Sequence, residues 1–85
     1  MITIDCDDSV VCRMVTRIIE RLEIVESHET CVVITDNAGL IRDVKTLLLT
    51  DNTTVCAVGR TVVRLPASKK YLTEVITSFL TDNYI

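Results

Sequence analysis

The sequence predicts a small α/β domain, two or three layers thick, built on a mostly parallel four-stranded sheet. Three observations carry this. Short β-branched runs alternate with amphipathic stretches of helical period, and the opening run turns through an acidic corner straight into one of those stretches. No linker, repeat or low-complexity segment divides the 85 residues, so residues 1–85 form one domain. The expected order is β-α-β-α-β-β-α, with a hairpin strand near the C-terminus.

The first strand is Ile2-Thr3-Ile4, which alternates apolar and polar side chains. Asp5-Cys6-Asp7-Asp8 follows, and Asp8 or Ser9 can accept from the free N–H groups of a helix start. Val11, Val15, Ile18, Ile19 and Leu22 then share one helical stripe, with Val10 and Met14 at its edge and Arg13, Arg17, Glu20 and Arg21 opposite. Residues 23–30 form a polar connection. Cys31-Val32-Val33-Ile34 is a continuous apolar run suited to a buried central strand, and it ends in Thr35-Asp36-Asn37. A second helix is expected with Leu40, Ile41, Val44, Leu47 and Leu48 as its stripe, stopped at Thr50-Asp51-Asn52. The third strand is Thr53 to Val58. Gly59-Arg60 suits a type II′ turn, which makes Thr61 to Leu65 a fourth, antiparallel strand. Pro66 ends it, Ser68 caps a third helix from about Lys69 to Thr81, and Leu72, Val75, Ile76, Phe79 and Leu80 form its stripe.

A chain of 85 residues lies near the lower end of what folds alone, and a hydrophobic content of 48% implies a substantial core and a shared interface. The formal charge is −3, with both signs interspersed and no basic cluster, which disfavours nucleic acid as a partner. No long apolar run and no leader pattern are present, so the expectation is a soluble, cytoplasmic protein that engages no membrane. The four cysteines form no C-x-x-C pair; Cys31 and Cys56 lie in apolar runs and are expected to be buried, reduced thiols. With only Gly39 and Gly59, a glycine-rich phosphate loop is excluded.

Candidate chemistry gathers at strand ends. Asp7, Asp8 and Asp36 have the oxygen chemistry to hold Mg²⁺ weakly, yet each also directly precedes a helix start, where a carboxylate caps free N–H groups and gains from the helix dipole. Capping is the favoured reading, and the two can coexist. Cys6 is surrounded by Asp5, Asp7 and Asp8, which oppose a thiolate, so a catalytic Cys6 is disfavoured. His28, the only histidine, sits in a polar connection and reads as a surface residue. Arg13, Arg17 and Arg21 form a basic row at i, i+4, i+8, either a solvated face or a docking face for an acidic partner.

The opening resembles a bacterial response-regulator receiver domain. Ile2-Thr3-Ile4-Asp5-Cys6-Asp7-Asp8-Ser9 stands where that family has its first strand and acidic cluster, and residues 13–22 are similar to its first helix without gaps. Val32-Val33-Ile34-Thr35-Asp36 is similar to the strand whose terminal aspartate accepts a phosphoryl group, which implies Asp36 as the acceptor. Val62-Val63-Arg64-Leu65-Pro66, followed by Leu72 and Val75, resembles the last strand, the Lys-Pro dipeptide and the final helix. Cys6 replaces the first acidic residue, which leaves Asp7 as the implied metal-binding carboxylate. Leu65 stands where the family has its catalytic lysine, and Gly59 where it has a switch hydroxyl. The chain also lacks two crossover helices. A tight hairpin at Gly59-Arg60 would put Pro66 at the opposite end of the sheet from Asp36.

The resulting expectation is a truncated, degenerate receiver-like domain. It acts as a non-enzymatic regulatory or protein-binding module in signal transduction, with no resident cofactor. The alternative is a Mg²⁺-dependent phospho-acceptor modified on Asp36. With all helices on one side, the other sheet face would lie open and carry some of Val33, Val63 and Leu65, so a homodimer or a tight protein partner is expected, with Val63 as a contact residue.

Overall fold

A computed structural model describes residues 1–26, 29–37, 39, 45–51 and 61–84. The described elements are β1 (Ile2–Asp5), α1 (Ser9–Leu22), β2 (Val32–Thr35), β3 (Lys45–Thr50), β4 (Thr61–Arg64) and α2 (Lys69–Asn83). The strands form one sheet in the order β1-β2-β3-β4, and every neighbouring pair is parallel. The chain is therefore a small α/β domain. All strand carboxyl ends point the same way, which is where ligand chemistry collects in such sheets.

The first unit forms as its pattern predicts. Ile2 and Ile4 pack against the core, while the N-terminal ammonium donates to the Thr30 carbonyl and the Val32 amide donates to the Met1 carbonyl at 3.1 Å. These contacts pin the start of β1 beside β2. Asp8 caps α1, accepting from the Val10 and Val11 amides at 2.8 and 3.3 Å, and Val11, Val15 and Ile18 are buried. The helix ends at Glu23, a left-handed residue with φ of 51° whose amide donates to the Glu20 carbonyl at 3.3 Å. At the other end of the chain, Ser68 caps α2 through the Tyr71 amide at 3.1 Å, and Leu72, Ile76, Phe79 and Leu80 are buried. Tyr84, just beyond α2, closes the core as well.

Two expected elements are corrected. Lys45–Thr50 is a strand, so Leu47 and Leu48 belong to β3 and not to a second helix. Leucine favours helices by propensity, but Thr46 through Thr50 are buried on both strand faces, and burial outweighs a propensity of a few tenths of a kcal/mol. β4 pairs with β3 in parallel, with Leu47 opposite Thr61 and Thr50 opposite Arg64, so the last strand is not antiparallel. The antiparallel pairing is the expectation from Gly59-Arg60, which suits a tight turn and, after a strand ending at Val58, leaves no room for a crossover before Val62. The expected strand over 53–58, the Gly59-Arg60 turn, and residues 40–44 lie outside the described residues, as do His28 and Cys56.

The expected open sheet face is also corrected. α1 and α2 share one face, where Val32, Ile34, Leu47, Leu49 and Val63 meet their stripes. On the opposite face Val33 is only 2% exposed and Leu48 is fully buried. Central strands of a parallel sheet are covered on both sides, and β2 and β3 follow that rule. Val63 points into the helix layer and is 1% exposed, so it is a core residue and not a partner contact. Cys31, just before β2, is exposed and not buried, because the apolar run enters the sheet only at Val32. No helix among the described residues is long and apolar enough to cross a membrane.

Candidate functional site

The site is the corner where β1 ends and α1 begins, met by the end of β2. Two local turns aim Asp36 at it. The Asn37 amide donates to Thr35 Oγ1 at 3.0 Å, and the Gly39 amide donates to Asn37 Oδ1 at 3.0 Å, so the extended backbone gives way to turns immediately after the strand. The Asp36 carboxylate then accepts from two successive backbone amides across the sheet end. The Asp7 amide reaches Oδ1 and the Asp8 amide reaches Oδ2, each at 2.9 Å. A two-pronged acceptor on adjacent N–H groups holds the β1–α1 corner in one conformation, and hydrogen bonds to an ionised acceptor are the stronger kind.

Asp7, Asp8 and Asp36 are thus brought together, but through the backbone of the first two. Both Asp36 oxygens face amides, Asp8 Oδ1 turns inward to cap α1, and the Asp7 side chain is exposed. Among the described residues no group of three His, Cys, Asp or Glu side chains is placed so that it could hold a metal ion. The carboxylates present do not fit Mg²⁺ as a shared ligand set. Asp8 caps α1 as expected, whereas Asp36 caps no described helix and clasps the β1–α1 corner instead.

Cys6 completes the corner. Its Sγ lies 3.9 Å from the Ile34 carbonyl, and burial, reinforced by the negative charge of Asp36 and by Cys12 and Asp5, pushes its thiol up from 9.0 to about 12. A thiol held protonated at neutral pH is a poor nucleophile, so Cys6 is a packing residue of the corner.

An open depression of about 420 Å³ lies beside the clasp at the carboxyl ends of β3 and β4. Asp8, Asp36, Thr50, Asp51, Leu65 and Pro66 line it, and the Leu65–Pro66 peptide is cis. Because β4 is parallel, Pro66 shares the sheet end with Asp36; the expectation that they lie at opposite ends is corrected. Thr50 and Asp51 were missed because Lys45–Thr50 reads as helix. A signal was present: Ile34-Thr35-Asp36-Asn37 and Leu49-Thr50-Asp51-Asn52 carry the same apolar-Thr-Asp-Asn ending after an apolar run. The same ending at Leu80-Thr81-Asp82-Asn83 falls in α2, so the pattern marks ends of apolar runs and not strands alone.

The basic row is where the sequence puts it. Arg13, Arg17 and Arg21 are exposed on α1, and Arg21 sits in its last turn, where the helix dipole favours a cation. Arg13 and Arg17 border a groove of about 230 Å³ floored by Val10 and Met14, with Lys69 of α2 at its other side. Val10 and Lys69 were not singled out from the sequence.

No protein family, curated protein or solved structure matches the chain. The geometry alone therefore carries the functional reading.

Proposed function

We propose that this chain is a non-enzymatic regulatory or protein-binding module, similar to a minimal receiver domain, that acts through protein–protein contact and not on nucleic acid or membranes. The observation that carries the reading is the state of Asp36. Both of its oxygens are engaged by the Asp7 and Asp8 amides, and the residue before Pro66 is Leu65, which supplies no cation to the site. A carboxylate committed to two N–H groups, with no neighbouring lysine on β4 and a protonated thiol beside it, is suited to rigidity and not to accepting a phosphoryl group. The corner then serves to set the position of α1, whose exposed face carries Arg13, Arg17 and Arg21.

A second reading, phosphoryl acceptance on Asp36, is favoured by one observation. Asp36, the Thr50 strand end and the Leu65–Pro66 pair converge on a single open depression. With β3 at Lys45–Thr50, the hydroxyl residue ending the third described strand is Thr50, and no longer the glycine expected from the sequence. Incubation with acetyl phosphate and Mg²⁺, followed by intact mass and amide chemical shifts, separates the two. The contact-module reading expects no adduct and no shift at Asp7, Asp8 or Asp36. A stoichiometric phosphoryl adduct on Asp36 would replace it with the second reading.

A further inference from the structure

The groove of about 230 Å³ at the start of the helix layer has a charge opposite to that of the chain as a whole. Val10 and Met14 form its floor, Arg13 and Arg17 its α1 rim, and Lys69 of α2 closes the other side. Among the described residues no carboxylate lines it, and Arg13, Arg17 and Lys69 form no ion pair. Glu20, exposed further along α1, lies outside the groove, and Lys70 beside Lys69 is exposed as well. Val10 is 67% exposed, so an apolar side chain stands in water among cations. A domain of formal charge −3 has thus gathered three uncompensated cations around apolar surface. Both rims are held by backbone contacts. Ser68 caps α2 through the Tyr71 amide at 3.1 Å, and the Lys69 carbonyl accepts from Thr73 Oγ1 at 2.7 Å. The Asp36 clasp and the Asp8 cap fix the start of α1. The groove therefore exists before a partner arrives, which lowers the ordering cost of binding.

From these facts, and resting on the contact-module reading above, we infer that this groove docks an acidic segment of another protein, one that carries a large apolar side chain between carboxylates. The apolar side chain lies over Val10 and Met14, and the carboxylates pair with Arg13 and Arg17 on one rim and Lys69 on the other. Residues four apart on a helix rise by about 6 Å, and alternate residues of an extended chain lie about 6–7 Å apart. Successive carboxylates on one side of an extended segment therefore match the Arg13–Arg17 spacing. Apolar burial supplies affinity, and the charges set register and encounter rate. The groove is smaller than the roughly 300–1,000 Å³ usual for small-molecule sites, which suits an anchoring side chain. A nucleic-acid backbone needs a longer cationic track than three side chains on an acidic domain. A lipid surface needs its apolar contacts on a protruding face, whereas Met14 is half-buried between cations. A second copy offers no such segment on its α2, where exposed Lys70 stands one turn before Glu74 in the same row.

Fluorescence anisotropy with a fluorescein-labelled Glu-Asp-Leu-Phe-Glu-Asp peptide tests this on wild type, Arg13→Glu/Arg17→Glu and Lys45→Glu/Lys70→Glu. The last pair changes the net charge equally, but both lysines are exposed outside the groove. Wild type should bind saturably, and more weakly as salt rises. Arg13→Glu/Arg17→Glu should bind about tenfold or more weakly, and Lys45→Glu/Lys70→Glu within about threefold of wild type. A peptide with serines in place of leucine and phenylalanine should also lose about tenfold. In wild type, which needs no variant to fold, the peptide should shift the Val10, Met14 and Lys69 amides and leave Ser78, on the other flank of α2, unmoved. No saturable binding by wild type at millimolar peptide would overturn the inference, as would equal losses in both double variants or undiminished binding of the serine peptide. Tighter binding of oligothymidylate or phosphatidylserine vesicles would overturn it too, as would wild-type self-association that Arg13→Glu/Arg17→Glu abolishes. Absence of peptide binding leaves the contact-module reading standing, which falls with a phosphoryl adduct on Asp36.

Discussion

Replacing Asp36 with alanine removes the acceptor of both the Asp7 and Asp8 amides and leaves the β1–α1 corner with no tie to β2 through this side chain. A hydrogen bond to a charged acceptor contributes about 1.5–3 kcal/mol when buried. Both bonds here are exposed, so water replaces part of each, and a contribution of about 1 kcal/mol apiece is the reasonable scale. Asp36→Ala should therefore cost about 2 kcal/mol, which for a domain of this size lowers the melting temperature by about 8–16 °C. Asp36→Asn keeps one acceptor and should fall between alanine and wild type. Urea unfolding followed by circular dichroism gives the stability. Amide exchange at Asp7 and Asp8, accelerated in the variant while the β3 amides follow the global change, locates it. An Asp36→Ala protein within about 0.3 kcal/mol of wild type, with unchanged exchange at both amides, would refute the clasp.

Four other outcomes follow from the same structure. Leu49 is fully buried in β3, whereas the helix expected from the sequence leaves it off the apolar stripe; Leu49→Ala should cost about 2–5 kcal/mol by urea unfolding, and a loss under about 0.5 kcal/mol would remove the strand. Glu23 holds a left-handed conformation that favours glycine, so Glu23→Gly should raise stability by about 1 kcal/mol, and a loss would contradict that backbone assignment. Cys31 is exposed and should react with a thiol reagent in the native protein at pH 8 well before Cys6. Because the native Cys6 thiol sits near 12 and its unfolded value is 9.0, the native state holds its proton more tightly between the two. The stability this gives is complete below pH 9 and is lost as pH rises toward 12, and Cys6→Ala should flatten that alkaline decline.

What was legible in the sequence is what local patterning controls. The alternation of Ile2-Thr3-Ile4, the capping carboxylate at Asp8 and the period of Val11, Val15 and Ile18 place β1 and α1, and Ser68 with Leu72, Ile76 and Phe79 places α2. The two helices each bury one face, and Ile2 and Ile4 alone of the β1 residues Ile2 to Ile4 pack on the core, so the periodicity is visible. Residues 46–50 bury both faces and have no periodicity to read, and a run of three leucines then looks helical by propensity. The direction of β4 was misread for a related reason. A glycine turn is a local cue, whereas parallel pairing with β3 depends on which surfaces must be covered, and that is a property of the whole sheet. Misplacing β3 hid Thr50 and Asp51 from the site and placed Pro66 at the wrong sheet end. The exposure assigned to Val33 and Val63 failed for the same reason, because strand faces cannot be sorted before the strand order is known.

At the candidate site, the residues were visible and their wiring was not. Asp7, Asp8 and Asp36 stand out as strand-end carboxylates, but a sequence does not say whether an aspartate points its oxygens at a cation or at a neighbour's backbone. The turn built by Thr35, Asn37 and Gly39 decides this, by folding the chain so that Asp36 meets two amides at once.

The account depends most on that meeting, and it can be observed directly. In a ¹³C,¹⁵N-labelled protein, scalar coupling passes across a hydrogen bond from a backbone nitrogen to the carbon of the accepting carboxylate. The structure predicts two such cross-peaks on the Asp36 side-chain carboxyl carbon, one from the Asp7 nitrogen and one from the Asp8 nitrogen. Both should vanish in Asp36→Ala while the Val10 coupling to the Asp8 carboxyl persists. Absence of both couplings in the wild-type protein, with the Asp8 cap detected in the same spectrum, would contradict the clasp and the contact-module reading built on it.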